Sequence, residues 1–345
     1  MKIDIKHLQR DWKEYTLRND HGMAVSLLNY GGIITRVMVP DQDGTVENVM
    51  IGYKQAEDYE TNPHFFGALI GPVAGRIQGA AFELDGNVYM LEANDGENHL
   101  HGGSNGFHQV LWDTEPLQDE DRVGVVLSYS RKDGEGGYPG RIDVSVTYLL
   151  TNENELILEY EAVTDQSTPL TLTNHAYFNL SGNGKETIHH HHVTIDSHQF
   201  LELDKELIPT GTVMDAADTP FDFRKGRRLQ DGITAQTEQN DIVGHGYDHY
   251  FLFDHSRSKS VMMTEQTSGR VQTIETDQPG MVMYTANNLQ NGLELHGGTS
   301  RKHLGVCFET QCPPASLHHD GLPPVILQPN ERYQQRTVFT FSTKK

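Results

Sequence analysis

Cysteine is scarce in this chain, with only Cys307 and Cys312 among 345 residues. Two are too few for a disulfide framework, and their spacing fits neither a CxxC redox pair nor a zinc knuckle, so they read as reduced structural thiols. Positive charge is also short: 27 Lys plus Arg stand against 48 Asp plus Glu, a formal net charge of −21. Such a surface repels polyanions, which argues against a nucleic-acid partner and favours a neutral or cationic small ligand; the acidity also serves solubility. No apolar run is long enough to span a membrane. The first residues, Met1 to His7, carry charges where an export signal needs an apolar stretch, so a cytoplasmic protein is expected. Helical periodicity over three or more turns is missing as well, with only polar stretches such as Gln55 to Glu60 suited to single turns. A flexible linker, a charge block and a fixed-period repeat are all lacking. That disfavours tethered domains, propellers and solenoids, and residues 1–345 are expected to form a single domain.

What the chain does have is period-two alternation. Val144, Val146, Tyr148 and Leu150 share one face of a strand, and Leu156, Leu158, Tyr160 and Ala162 share one face of the next, across the turn Thr151 to Glu155. Similar runs at Val123 to Ser130, Val261 to Thr264, Met281 to Thr285 and Thr337 to Ser342 are separated by Gly, Asn, Asp and Pro clusters. Many short strands and turns predict an all-β, antiparallel protein with few short helices.

Five islands place residues that are costly to bury beside glycines or aromatics within strand-like sequence: Gly71 to Ile77, Asn98 to Gly103, Thr173 to Leu180, Gly246 to Phe251 and Val306 to Gln311. His175 lies near a strand end among aromatics, where an imidazole can exchange a proton near neutral pH. Alone, it reads better as a hydrogen-bonded core histidine. Glu309 follows Gly305-Val306-Cys307-Phe308, and a carboxylate in so apolar a stretch needs a partner or a raised pKa, the condition of a useful base. Strand alternation with Val306 and Phe308 inward would instead turn it outward. Asp248 and Arg76 suit either sugar hydroxyls or structural ion pairs. His99 and His101 form an H-x-H whose rings would face one side of a strand, the beginning of a metal site if further ligands joined it. The internal run His189 to His192 reads as a strand with two rings on each face, without assigned function.

Taken in order, these islands resemble the aldose 1-epimerase (galactose mutarotase) family. The likeness runs from Tyr30-Gly31-Gly32-Ile33-Ile34 to Leu327-Gln328-Pro329-Asn330-Glu331-Arg332-Tyr333. Its most specific segments are Leu100-His101-Gly102-Gly103, Gly137-Tyr138-Pro139-Gly140, Leu172 to Leu180, and Glu309-Thr310-Gln311. The resemblance implies a large antiparallel β-sandwich of the galactose mutarotase-like supersandwich type, with an open cleft and without metal or organic cofactor. It implies an isomerase, monomeric or homodimeric, that interconverts the α and β anomers of free hexoses such as glucose and galactose. Within that likeness His175 matches the general acid and Glu309 the general base. Arg76, His101 and Asp248 match substrate-hydroxyl contacts, and Phe107 and Gln311 are expected to add to the lining. The chain departs from the family pattern at Pro72 and Gly75, where Arg and Asn are common, at Ala286, and at Cys312 to Ala315. These departures bear on which sugar is preferred and leave the acid and base intact.

Anomer exchange removes a proton from the C1 hydroxyl and delivers one to the ring oxygen, so two groups must address one carbon from different sides. Three other readings stay open on the sequence. A carbohydrate-binding protein of the same fold would keep the cleft without the chemistry. A hexose-phosphate epimerase would gather further Arg or Lys around the cleft. A metal-dependent enzyme would use His99, His101 and Glu309.

Overall fold

The computed structural model describes residues 1–344. Two large antiparallel sheets frame it. The first has nine strands in the spatial order Asp113–Gln118, Arg122–Arg131, Ile142–Thr151, Glu155–Thr164, Tyr333–Thr343, Arg270–Thr276, Val261–Thr264, His192–Ile195 and Arg227–Arg228. The second has seven: Pro209–Asp215, Gln199–Leu203, Asp248–Leu252, Gly280–Tyr284, Val306–Thr310, Tyr177–Phe178 and Met50–Ile51.

The predicted alternation is realised in the nine-stranded sheet. Val144, Val146, Tyr148 and Leu150 are buried together with Leu156, Leu158, Tyr160 and Ala162. They join Met281, Met283, Phe251, Val306 and Phe308 of the other sheet in one apolar cluster, which makes the pair of sheets a sandwich. On the outer face only Leu149, Ile157 and Val338 gather into a small separate cluster. An N-terminal five-stranded sheet, Lys2–His7 through Val46–Asn48, adds Tyr15, Leu17, Val25, Leu27 and Val37 to the same core.

Helical structure is confined to short pieces, among them the single turn Ala56–Glu60 and the α-helices Leu229–Ile233 and Glu238–Ile242. Among the described residues no helix is long and apolar enough to cross a membrane. The histidine run departs from the expected strand. Ile188–His190 forms a 3₁₀ turn, and a strand begins only at His192. The cause lies in His191, whose buried Nε2 accepts the Leu180 N–H at 2.9 Å; the ring is drawn inward while His190 and His192 stay exposed.

Candidate active site

The strand Val306–Thr310 is buried along its whole length, because its two faces serve different purposes. Val306 and Phe308 enter the core, and so do Met281, Met283 and Phe251 on the neighbouring strands. The opposite face is set by register. Cys307 stands across from Tyr284 and from Tyr177, and Tyr284 across from Asp248. Glu309 stands across from Val282, which faces Tyr250 on the next strand. Directly paired residues project to the same side of a sheet. One face therefore carries a row of Asp248, Tyr284, Cys307 and Tyr177, with Tyr250, Val282 and Glu309 beside it.

Above this floor opens a cleft of about 340 Å³. Its walls come from loops: Pro63 to Phe65, Gly75 and Arg76, Leu100 and His101, Leu203 to Pro209, and Pro313 with Pro314. His175 enters from the end of Thr173–Asn174, where its backbone N–H donates to Ala68 O at 2.9 Å and its carbonyl accepts from Gly67 N at 3.0 Å. Its Nε2 lies 3.5 Å from Glu309 Oε1, and both side chains are almost wholly buried. Burial pushes the His175 imidazole down to about 3. It pushes Glu309 well above the ordinary carboxylate range; the nearby charge of Asp248 adds to that rise and Arg76 opposes it. Both shifts favour the neutral forms, as expected where water cannot solvate charge.

Arg76 reaches the cleft from a two-residue strand paired with His99–Leu100. Its Nε donates to Asp95 Oδ2 at 2.7 Å, and its Nη1 lies 3.9 Å from Asp248 Oδ2. Asp248 is raised by burial and pulled back by Arg76. Among the lining residues Arg76 is the one Lys or Arg, and two carboxylates already engage it. This is a poor setting for a phosphate dianion.

His101 follows the same short strand in a left-handed backbone conformation, with φ at 55°. Its N–H donates to Gly75 O, and its Nδ1 accepts the Gly75 N–H, each at 3.1 Å. The second of these bonds puts the remaining ring proton on Nε2 and makes that nitrogen a donor for a sugar oxygen. Ligating atoms of His101, His175 and Glu309 lie within 4.8 Å of one another, a span that a metal ion could bridge. With one His101 nitrogen occupied by an amide and the other protonated, the donor set fits a cation poorly. His99 is not beside His101: its Nδ1 faces Glu92 O at 2.7 Å and its ring packs near Tyr138. The H-x-H pair splits because His99 remains in the strand and His101 turns out of it.

Gln311 is fully buried and lines the cleft. Its Nε2 donates to Ala74 O and Cys312 O, and its buried Oε1 has no hydrogen-bond partner among the described residues. Gly75 has φ of +90°, and a Cβ there would stand 2.8 Å from Pro314 Cγ, so the Gly75 and Pro314 departures are matched to each other.

Phe107 does not line the cleft. Its N–H donates to Gly71 O, and its ring is wholly buried in the core against Trp112, with the Arg131 guanidinium over it. The phenylalanine that lines the cleft, beside Tyr177, Tyr250 and Tyr284, is Phe65, whose ring lies 4.8 Å from that of His101 and 5.8 Å from that of His175. Phe65 sits in an irregular loop tied by Asn62 to the backbone of Phe66, and no periodicity marks it. Tyr284, by contrast, belongs to a legible strand, and alternation from Val282 could have found it.

The model of the aldose 1-epimerase family matches residues 13–340. A galactose mutarotase of Sus scrofa is 39% identical over 337 residues, covering 96% of this chain and 94% of its own. A human galactose mutarotase matches at the same identity and coverage. The crystal structure of a galactose 1-epimerase from Lactobacillus acidophilus superposes with a TM-score of 0.90 at 30% identity, over the full length of both chains.

Proposed function

The chain belongs to the aldose 1-epimerase family and interconverts the anomers of aldoses, and from that premise we propose that His175 and Glu309 carry the proton transfers. The observation supporting this reading is the buried, face-to-face pair itself, Nε2 and Oε1 at 3.5 Å, at the bottom of a cleft of hexose scale.

Glu309 takes the proton of the C1 hydroxyl while His175 gives one to the ring oxygen. The C1–O5 bond breaks, and the sugar becomes an open-chain aldehyde. Rotation about C1–C2 presents the other carbonyl face, and the two transfers reverse to close the ring as the other anomer. The pair holds one proton throughout: as carboxylate and imidazolium it faces the closed ring, and as carboxylic acid and imidazole it faces the aldehyde. Burial favours the second arrangement, so the cleft lowers the cost of the open-chain state. Arg76, whose charge opposes the rise at Glu309, supports the carboxylate when the ring is closed. His101, Asp248 and Gln311 are proposed to hold the hydroxyls of glucose or galactose.

The two free thiols, Cys307 and Cys312, support a cytoplasmic setting. The test of the assignment is the rate at which fresh α-glucose or α-galactose mutarotates, followed by polarimetry. His175→Ala and Glu309→Gln should each lose roughly 10²- to 10⁴-fold in kcat while remaining folded. Near-normal rates in both folded variants would falsify the assignment.

A further inference from the structure

A histidine that works as an acid or base usually gives its second ring nitrogen to a carboxylate, a backbone carbonyl or water, which orients the ring and stabilises its protonated form. At His175 no carboxylate takes that place among the described residues, and the backbone acceptor that supports its charged form is its own carbonyl. The polar atom at its Nδ1 is the sulfur of Cys307, 3.5 Å away. Cys307 is wholly buried in the cleft-floor row, and burial pushes its thiol up, so the sulfur is neutral. The ring is also held by its faces. Tyr177 stacks on it at 5.1 Å with an interplanar angle of 28°, and Phe65 at 5.8 Å and 29°. Phe65 keeps this place with a left-handed backbone, φ 54°, a costly conformation for a bulky residue.

Resting on the assignment of His175 as the acid, we propose that Cys307 is a positioning residue, which together with the Phe65 and Tyr177 rings orients the imidazole while offering its protonated form only a weak acceptor.

When His175 is protonated, both ring nitrogens must donate. Nε2 has Glu309 or the sugar, whereas Nδ1 has a neutral sulfur, among the weakest acceptors in proteins. The other titratable groups around the ring give no help: burial pushes His64, His101 and His108 down and Tyr177 and Tyr284 up, so all five favour their neutral forms and none supplies a negative charge. Glu309 is the carboxyl group in contact, and it is the partner in the reaction. The imidazolium is thus fixed in direction by packing but little stabilised, and a less stable imidazolium is the stronger acid toward a ring oxygen. A carboxylate at Nδ1 would orient the ring equally well and weaken the acid.

The experiment compares Cys307→Ser and Cys307→Ala with the parent enzyme. The readouts are mutarotation kinetics and an NMR titration of ¹⁵N-labelled histidine. A serine hydroxyl is the better acceptor, so the Ser variant should protonate His175 at higher pH and change kcat roughly 3- to 10-fold, with KM changed less than twofold. The Ala variant, lacking any acceptor, should protonate His175 at lower pH. It serves alone if the Ser variant does not fold. A His175 titration and kcat identical to the parent's in the folded variants would overturn the proposal. If His175→Ala is inactive while the Cys307 variants are unchanged, only the role of Cys307 fails; if His175→Ala is active, the underlying assignment fails with it.

Discussion

Two buried pairs of an acid and a base in this protein behave in opposite ways. Glu47 and Arg270 lie 3.1 Å apart with side chains 9% and 1% exposed, and His175 and Glu309 lie 3.5 Å apart with comparable burial. Burial would raise Glu47, but hydrogen bonds from Lys185 and Arg270 outweigh it and hold the carboxylate below its ordinary range. Arg270 in turn donates to Leu180 O and Thr45 O. Glu309 has an imidazole in front of it and Asp248 nearby, and burial first, then the charge of Asp248, push its carboxyl well above the ordinary range. A buried pair surrounded by fixed donors is a permanent ion pair that shapes the fold. A buried pair surrounded by rings and a thiol keeps its proton mobile. Burial alone does not separate structure from chemistry; the hydrogen bonds around the pair do.

This contrast can be broken at several points. The largest effect is expected at the cleft, where Glu309→Gln removes the base and costs roughly 10²- to 10⁴-fold in turnover without lowering the unfolding midpoint in urea. Arg270→Ala should do the reverse. It leaves Glu47 with Lys185 as its remaining partner and should cost about 3 kcal/mol in urea unfolding, while kcat of the remaining folded enzyme stays near the parent's.

Acid should weaken the fold through its neutral buried histidines. His249 is pushed down to about 3, and His108 and His191 to about 4, in each case by burial first. Their folded values lie below the unfolded one of about 6.5, so the unfolded chain binds more protons between these limits. Their contribution is complete above about pH 6.5 and is lost as pH falls toward the folded values, on the order of 1 to 2 kcal/mol for each at pH 5. Urea midpoints at pH 7 and pH 5 measure the slope, which His249→Gln should flatten. An unchanged midpoint across that range contradicts the prediction.

The smallest effect is expected at Asp248. Asp248→Asn should lower kcat/KM about tenfold through a weakened hydroxyl contact. It also removes a negative charge that raises Glu309, so the proton of the pair is lost more easily and the alkaline limb of the rate profile moves to lower pH. A limb that moves upward would show that Asp248 does not sense Glu309.

Much of the frame was legible before any coordinates. The strand at Val261–Thr264 falls where alternation puts it, and Ile142–Thr151 and Glu155–Thr164 extend the predicted runs by one or two residues at either end. In the cleft, His175, Glu309, Arg76, His101, Asp248 and Gln311 converge as the ordered motifs suggest. For Glu309 the inward and outward readings were both partly right: it does turn away from the core of Val306 and Phe308, yet the face it turns to is the cleft floor, where the side chain is still buried. What stayed hidden has local causes. Phe107 looked like a lining aromatic, but its backbone N–H donates a hydrogen bond to Gly71 O and its ring packs against Trp112. The separation of His99 from His101 depends on one left-handed residue, and the histidine run bends to satisfy a single amide of Leu180. Neither event leaves a periodic trace.

The pairing of Val306–Thr310 with Gly280–Tyr284 has a consequence for how such an enzyme can change over time. Reactivity here is a matter of odd and even: one residue inserted into or deleted from Val306–Thr310 ahead of Glu309 would swap Glu309 with Phe308 and present an apolar ring where the base belongs, and one in Gly280–Tyr284 would flip Val282 and Tyr284 off the cleft floor. A length change in a loop around the cleft would adjust the wall and not the count. Within these five-residue strands, lineages are confined to substitution, and any length change tolerated there must come in twos.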